Sequence, residues 1–298
     1  LEINPEAGEY GWYRLLVSGS NTWDNNGFRL DLNYTDSEGW RERNGYERQS
    51  TTLRYDYLKN ATTSVKTVIA YSNIDQETGG SNGLSWNDYQ NRPWYNYHTF
   101  DFRKVDAFRL SFDVEKEVSE GKGLISLIPY YRENEMDLLP GWSIFQSGSN
   151  YYGYHSETKF QSFGLLGKYR HDFEPMKTRL ILGADLDYSP GEYFERRIQA
   201  YKTGDQYTSY TYVTSTTNNY DYDATFTGIS PYIHTEVSPL EKLRFTLGAR
   251  YDDMSYDYKT YLAANSNRPA DTERSFNHIS PKAGLTYLFT KDISAFVS

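Results

Sequence analysis

The sequence predicts an all-β chain folded as an antiparallel, up-and-down transmembrane β-barrel. Apolar and polar residues alternate at period two along nearly its whole length. Its connections alternate between short and long, and tyrosines close the apolar faces of the strands. The segment LRFTLGARYDD at residues 243–253 shows the pattern. Leu243, Phe245, Leu247, Ala249 and Tyr251 share one parity; Arg244, Thr246, Gly248, Arg250 and Asp252 share the other. Successive side chains of a strand point to opposite faces, so this is a strand with one greasy and one charged side.

The same alternation recurs in order. It is seen at Tyr13–Val17, at Phe28, Leu30, Leu32 and Tyr34, and at Leu53, Tyr55 and Tyr57. It continues through Val65–Tyr71, Phe108–Val114, Ile125–Tyr131, Phe163–Tyr169 and Leu180–Tyr188. Ile229–Val237, Leu243–Tyr251, Ala283–Tyr287 and Ile293–Val297 complete about twelve strands. The Ile125 strand is the least regular, because Leu124 and Ile128 interrupt its polar face. Helical periodicity is nearly absent.

Parity alone also describes a soluble β-sandwich; the connections favour the barrel. Short ones fall near residues 59–61, 118–122, 173–176, 238–241 and 289–291, and long ones span 73–102, 133–157, 190–222 and 255–275. All the long connections therefore lie at one end of a meander, as in outer-membrane barrels with short periplasmic turns and long extracellular loops. A Greek-key sandwich scatters its crossovers over both ends. Tyr34, Tyr55, Tyr57, Tyr71, Tyr131, Tyr188, Tyr251 and Tyr287 end the apolar faces, where a membrane–water boundary holds the ring in apolar surroundings and the hydroxyl in water.

Composition agrees. Only 38% of the 298 residues are apolar and mean hydropathy is −0.78, yet there are 30 Tyr, 15 Phe and 6 Trp. So aromatic a chain is not disordered, and a polar lumen accounts for the low hydropathy. No run approaches 18 apolar residues, which excludes a spanning helix but not a barrel. A net charge of −9 argues against a nucleic-acid partner, and the absence of cysteine removes thiol chemistry.

Two stretches resemble a known family. NYTDSEGWRERNGYERQSTTLRYDY (33–57) and FNHISPKAGLTYLFTKDISAFVS (276–298) are similar to the barrel of TonB-dependent outer-membrane receptors, especially those importing ferric siderophores or iron chelates. The resemblance implies a barrel of about 22 strands, filled by an N-terminal plug that carries the TonB-binding segment. This chain is then expected to be a section of such a barrel, roughly its strands two to thirteen, with residues 10–20 running down from the outer end. Plug and C-terminal strands are expected to lie outside it. TonB, outer-membrane lipid and lipopolysaccharide become the expected partners, and the Gram-negative outer membrane the expected location.

No catalytic or metal motif competes with that reading. His98, His155, His171, His234 and His278 lack metal-ligand spacing, no GxSxG occurs, and no cofactor is implied. Asp252, Asp253, Asp221 and Asp223 lack calcium-loop spacing and read as loop charges. The candidate ligand residues sit in the long loops. Residues 81–100 supply Trp86, Tyr89, Trp94, Tyr95, Tyr97 and His98; residues 138–155 supply Trp142, Phe145, Tyr151, Tyr152 and Tyr154. Residues 201–223 add Tyr207, Tyr210 and Tyr212. Rigid amphipathic rings give contact area at low entropic cost, suiting capture of a bulky ligand; the plainer reading is that these loops fold over one another. Arg41 and Arg43, beside Trp40, offer guanidinium groups to an anionic chelate, and equally to lipid-A phosphates. The expected function is binding of a ferric siderophore or similar chelate for TonB-energised uptake. A passive porin-like channel, a receptor for haem, cobalamin or oligosaccharide, and a soluble aromatic-rich binding module are the alternatives.

Overall fold

The computed structural model describes residues 1–79, 83–214 and 218–298. Fifteen strands form one antiparallel sheet. They are β1 (Glu2–Ala7), β2 (Tyr13–Trp23), β3 (Asn26–Ser37), β4 (Tyr46–Asn60), β5 (Thr63–Glu77), β6 (Phe102–Val118), β7 (Gly123–Leu139), β8 (Phe145–Ser147) and β9 (Asn150–Phe173). There follow β10 (Thr178–Thr203), β11 (Gln206–Tyr212), β12 (Tyr220–Leu240), β13 (Leu243–Thr260), β14 (Thr272–Leu288) and β15 (Ser294–Val297). One short helix, α1 (Trp86–Asn91), sits between β5 and β6. The sheet is a meander in which each strand pairs with the next, while β8 and β11 are small hairpin strands on β9 and β10. β1 and β15 end the order without pairing to each other, so the barrel is not closed.

Twelve meander strands coincide with the twelve alternating segments. The thirteenth, β1, was not expected, because EINPEA is short and polar and holds Pro5. Proline lacks a donor and is tolerated at a sheet edge, and β1 pairs only with β2. The strand that runs down from the outer end, β2, is therefore preceded by one running up.

The turns at one end are 24–25, 61–62, 119–122, 174–177, 241–242 and 289–293, all short. The opposite end carries 38–45, 78–101 with α1, 261–271, and the connections that hold β8 and β11. The expected polarity is therefore present, but two of the four expected long loops, 133–157 and 190–222, are largely strand. β7 continues to Leu139, β9 begins at Asn150, and β10 reaches Thr203 before β12 resumes at Tyr220. Their residues keep period two with tyrosine and threonine in place of aliphatics, and neighbours that extend together keep their backbone groups paired.

Among the described residues the buried apolar side chains are Leu139, Ile198 and Ala200, far too few for a soluble core. The large apolar residues are instead exposed on one face, among them Leu182, Leu186, Ile229, Ile233, Phe245 and Leu247. So wide an apolar face needs hydrocarbon against it, and a fully paired sheet is a structure that can enter hydrocarbon. From Leu243 to Tyr251 the face spans about 27 Å of strand, close to the apolar height of such barrels.

A tyrosine–phenylalanine girdle crosses the sheet at the upper limit of that face. Tyr71 stands opposite Phe108, and Phe163 lies between Tyr131 and Tyr188 in register. Ring centroids are 6.1 Å apart for Phe108–Tyr131 and 5.0 Å for Tyr131–Phe163. Tyr57 and Tyr287 lie near the short turns.

The other face is polar and neutralises its own charges. Arg250 donates to Asp185 at 2.5 Å and to Asp252 at 2.7 Å, Arg132 pairs with Asp187 at 3.3 Å, and Lys66 with Asp113 at 3.0 Å. Two glycines on this face are seats for tyrosine rings. A Cβ on Gly164 would lie 2.1 Å from Tyr130 Cζ, and one on Gly183 2.2 Å from Tyr232 Cζ. Gly164 faces Tyr130 across β7–β9, and Gly183 faces Tyr232 across β10–β12. Gly183→Ala is therefore expected to destabilise the complete barrel by about 1–3 kcal/mol, with Tyr232→Ala in the same chain restoring part of the loss. Urea midpoints of the detergent-folded receptor test this; an unchanged midpoint in Gly183→Ala would refute the seat.

Candidate ligand-binding mouth

The extensions of β7, β9, β10, β12 and β13 beyond the girdle form a wall whose two faces differ. In β9 the odd residues, and in β10 the even ones, continue the lipid-facing side; the opposite parities continue the lumen side.

On the outer side the loops fold against the wall. Tyr207 pairs in parallel with His98; its N–H donates to Tyr97 O at 2.7 Å, and Thr99 N–H donates back to Tyr207 O at 3.0 Å. The His98 and Tyr207 rings are 4.8 Å apart, Phe100 and Tyr210 5.1 Å, and Tyr151 and Tyr207 5.2 Å. Lys202 Nζ lies 4.6 Å from the Tyr151 centroid and 4.5 Å from that of Tyr207. His155 is buried, bonds Asp137 closely, and meets the Tyr212 hydroxyl at 3.1 Å. Buried Asn96 donates to Glu42 O at 3.0 Å and to His98 O at 2.6 Å, fastening the 78–101 loop to residues 38–45.

α1 is capped by Ser85, whose hydroxyl accepts from Asp88 N–H at 3.1 Å. Arg92 bridges Asp88 and Asp205, each at 2.6 Å, and lies 3.6 Å over the Tyr95 ring. Tyr95 donates to Asp205 and Tyr97 to Asp88 in short bonds. The Arg92 guanidinium, then the Tyr97 hydroxyl, holds the Asp88 carboxyl down at about 2. Burial, with Lys202 as a lesser cause, pushes the His98 imidazole down to about 4.

Of the residues expected to bind ligand, Tyr95, Tyr97, His98, Tyr151, Tyr207, Tyr210 and Tyr212 thus join the loops to one another and to the wall. Trp86 and Tyr89 stack at 5.5 Å on α1 and stay open, with Trp86 75% exposed. Trp94 and Trp142 are exposed as well, the latter at 71%. Arg41 is buried and donates to Tyr95 O at 2.8 Å, whereas Arg43 is exposed and pairs with Glu77 at 3.0 Å. Ser81, within the first candidate loop, and residues 215–217 of the third lie outside the described residues.

The lumen side gathers the remaining three candidates and several aromatics outside the expected set. Phe145 stands 6.2 Å from Tyr152 and 5.7 Å from Tyr154. Across the wall Tyr193 meets Tyr222 at 5.2 Å, Tyr222 meets Tyr258 at 4.9 Å, and Phe226 meets Tyr256 at 5.2 Å. Below them a cleft is lined by Tyr130, Arg132, Phe160, Asp187, Phe226 and Met254. The signal for this second set was present in sequence, since Tyr193, Glu195 and Arg197, or Tyr220 and Tyr222, keep period two inside the presumed loop. No group of three metal-ligating side chains occurs among the described residues.

The barrel fold that carries this mouth is matched by the comparisons with known proteins. The family model for the TonB dependent receptor-like beta-barrel matches residues 3–298, and the chain belongs to that family. It is a family of receptors, not of enzymes. No curated protein matches the sequence.

Among solved structures the chain is similar to the ferric citrate transporter FecA in its unliganded form, with a TM-score of 0.77 and 14% identity over 99% of this chain and 42% of that one. It is also similar to the siderophore receptor PiuA from Acinetobacter baumannii (0.73, 15%, 97% and 47%). The third is the ferric-catecholate import receptor Fiu from E. coli K12 in its closed form (0.73, 11%, 99% and 49%). At these identities the shared property is the fold. The chain spans less than half the length of each of these receptors.

The buried imidazole makes the loop pH-sensitive. The native loop keeps His98 neutral, while an unfolded one protonates it below its ordinary value of 6.5. Its contribution is therefore complete above pH 6.5 and lost as pH falls through about 4. Amide protection factors of residues 83–101, corrected for the intrinsic pH dependence of exchange, are expected to fall over that window in the complete receptor, and His98→Phe to flatten the change. Equal protection factors at both ends of the window would contradict the assignment.

Proposed function

We propose that the complete receptor containing this barrel section captures a ferric siderophore or similar iron chelate at its extracellular mouth, in the outer membrane of a Gram-negative cell. The observation that carries the reading is the aromatic lumen wall. Above the girdle, Phe145, Tyr152, Tyr154, Tyr193, Tyr222 and Tyr258 present ring surface to the interior rather than to lipid. Ring faces and hydroxyl edges suit a bulky ligand with flat and polar parts. The ferric citrate, siderophore and ferric-catecholate receptors that share the fold support the same class of ligand.

The outer wall has a separate task in this reading. Its loop-to-strand contacts hold the mouth open while its lower edge stands among lipopolysaccharide headgroups. Transport follows from TonB acting on a plug inside the barrel, with energy from the inner membrane. The step is binding and translocation, and no bond of the ligand is broken.

A strain lacking the receptor is expected to lose growth on one or a few members of a panel of iron sources. Labelled-iron uptake from those sources should stop when the proton gradient is collapsed. Growth on every source would remove the iron reading, and uptake that survives the uncoupler would leave a passive channel. Tyr222→Ala with Tyr258→Ala is expected to weaken chelate binding about tenfold at unchanged barrel stability, read by quenching of tryptophan fluorescence.

A further inference from the structure

Several guanidinium groups at the outer end are engaged by carboxylates, and Arg197 is not among them. Arg43 pairs with Glu77, Arg92 with Asp88 and Asp205, and Arg196 with Glu157 at 2.7 Å. Among the described residues no ion pair or hydrogen bond engages the guanidinium of Arg197; its Nε is buried without a partner, as are those of Arg196 and Arg132. The neighbouring carboxylate on the same face, Glu195, accepts from Tyr193 at 2.7 Å and from Asn219, not from Arg197.

The group is nevertheless held in place. Its Cζ lies 3.8 Å over the Tyr152 ring centroid and 5.6 Å from that of Phe145. Arg197 stands opposite Tyr154 in the β9–β10 register, and Phe145 opposite Tyr152 in β8–β9, so one face carries the cation and all three rings. That face is the lumen side. Stacking fixes the plane of a guanidinium and leaves its edge free to bond two oxygens. Gln199, on the same face, adds an amide that donates to Asn150 at 3.3 Å.

We propose that Arg197 is the anion-recognition residue of the mouth, and that the chelate it accepts is an anionic, oxygen-ligated ferric complex whose carboxylate or phenolate oxygens meet its free edge while flat portions lie on Phe145 and Tyr154. The assignment rests on the uptake reading above and narrows its ligand class. It places recognition on the lumen face of a strand extension, on a residue that neither the exposed tryptophans nor Arg41 and Arg43 would have indicated.

The test uses the complete receptor in detergent, with ferric dicitrate, a triply anionic ferric tris-catecholate and a neutral ferric tris-hydroxamate as probes. The variants are Arg197→Gln, Arg197→Lys and, as a control on the outer face, Arg196→Gln; a heat-modifiable band on electrophoresis checks folding. The wild type is expected to bind at least one anionic probe, more weakly as salt is raised. Arg197→Gln should weaken it at least about tenfold, Arg197→Lys by less, and Arg196→Gln not at all. Equal binding by Arg197→Gln, or a wild type that takes only the neutral probe, overturns the assignment and leaves the uptake reading standing. A wild type that binds no probe, in a strain whose deletion grows on every iron source, removes the uptake reading and the assignment with it.

Discussion

The structure depends on one constraint: in hydrocarbon every backbone N–H and C=O must find its partner within the protein. The continuous antiparallel ladder from β1 to β15 meets it strand by strand. Once the ladder is in place, one face of each strand is committed to lipid and the other to the interior. Leu182, Leu186 and Phe245 can be exposed without cost only because that commitment is made. The polar face accepts charge for the same reason. Arg250 with Asp185 and Asp252 is held in a partly wet interior, where paired charges are tolerated.

The constraint relaxes above the girdle, where water returns, and the same strands are put to another use. β9 and β10 run on in register, so the crown is a rigid wall more than a set of loose loops. Its outer side collects the 78–101 loop and β11 around buried Leu139, Ile198 and Ala200. The inner side turns its rings toward the lumen, half-buried against one another. A residue's role in the crown thus follows from the parity of its position: Arg196 is spent in an outer ion pair, while Arg197, one step along, stacks between inner rings.

That rule also explains which parts of the mouth could be read directly. Tyr207, Tyr210 and His98 were recognisable as aromatic loop residues, but their composition does not say that they meet one another. The contacts arise because β11 folds back on β10 and draws the 97–99 segment beside it. Tyr193, Tyr222 and Tyr258 were hidden by the expectation that polar stretches are loops; a strand of tyrosine and threonine has no aliphatic face to mark it. β1 carries no period-two apolar signal, and its Pro5 is a residue that a sheet edge tolerates.

By itself the sequence determined the strand class, the direction of the meander and the girdle. These rest on period-two alternation and on the lengths of connections, which are local properties of the chain. The two resembling stretches also pointed to the receptor family that the whole-chain match then established. Only the tertiary structure decided where strands end, which aromatics line the lumen, and which guanidinium stacks on them. Those depend on register and on which loop lies over which strand, set by hydrogen bonds and ring contacts between residues more than a hundred positions apart, such as Arg92 with Asp205 and His98 with Tyr207.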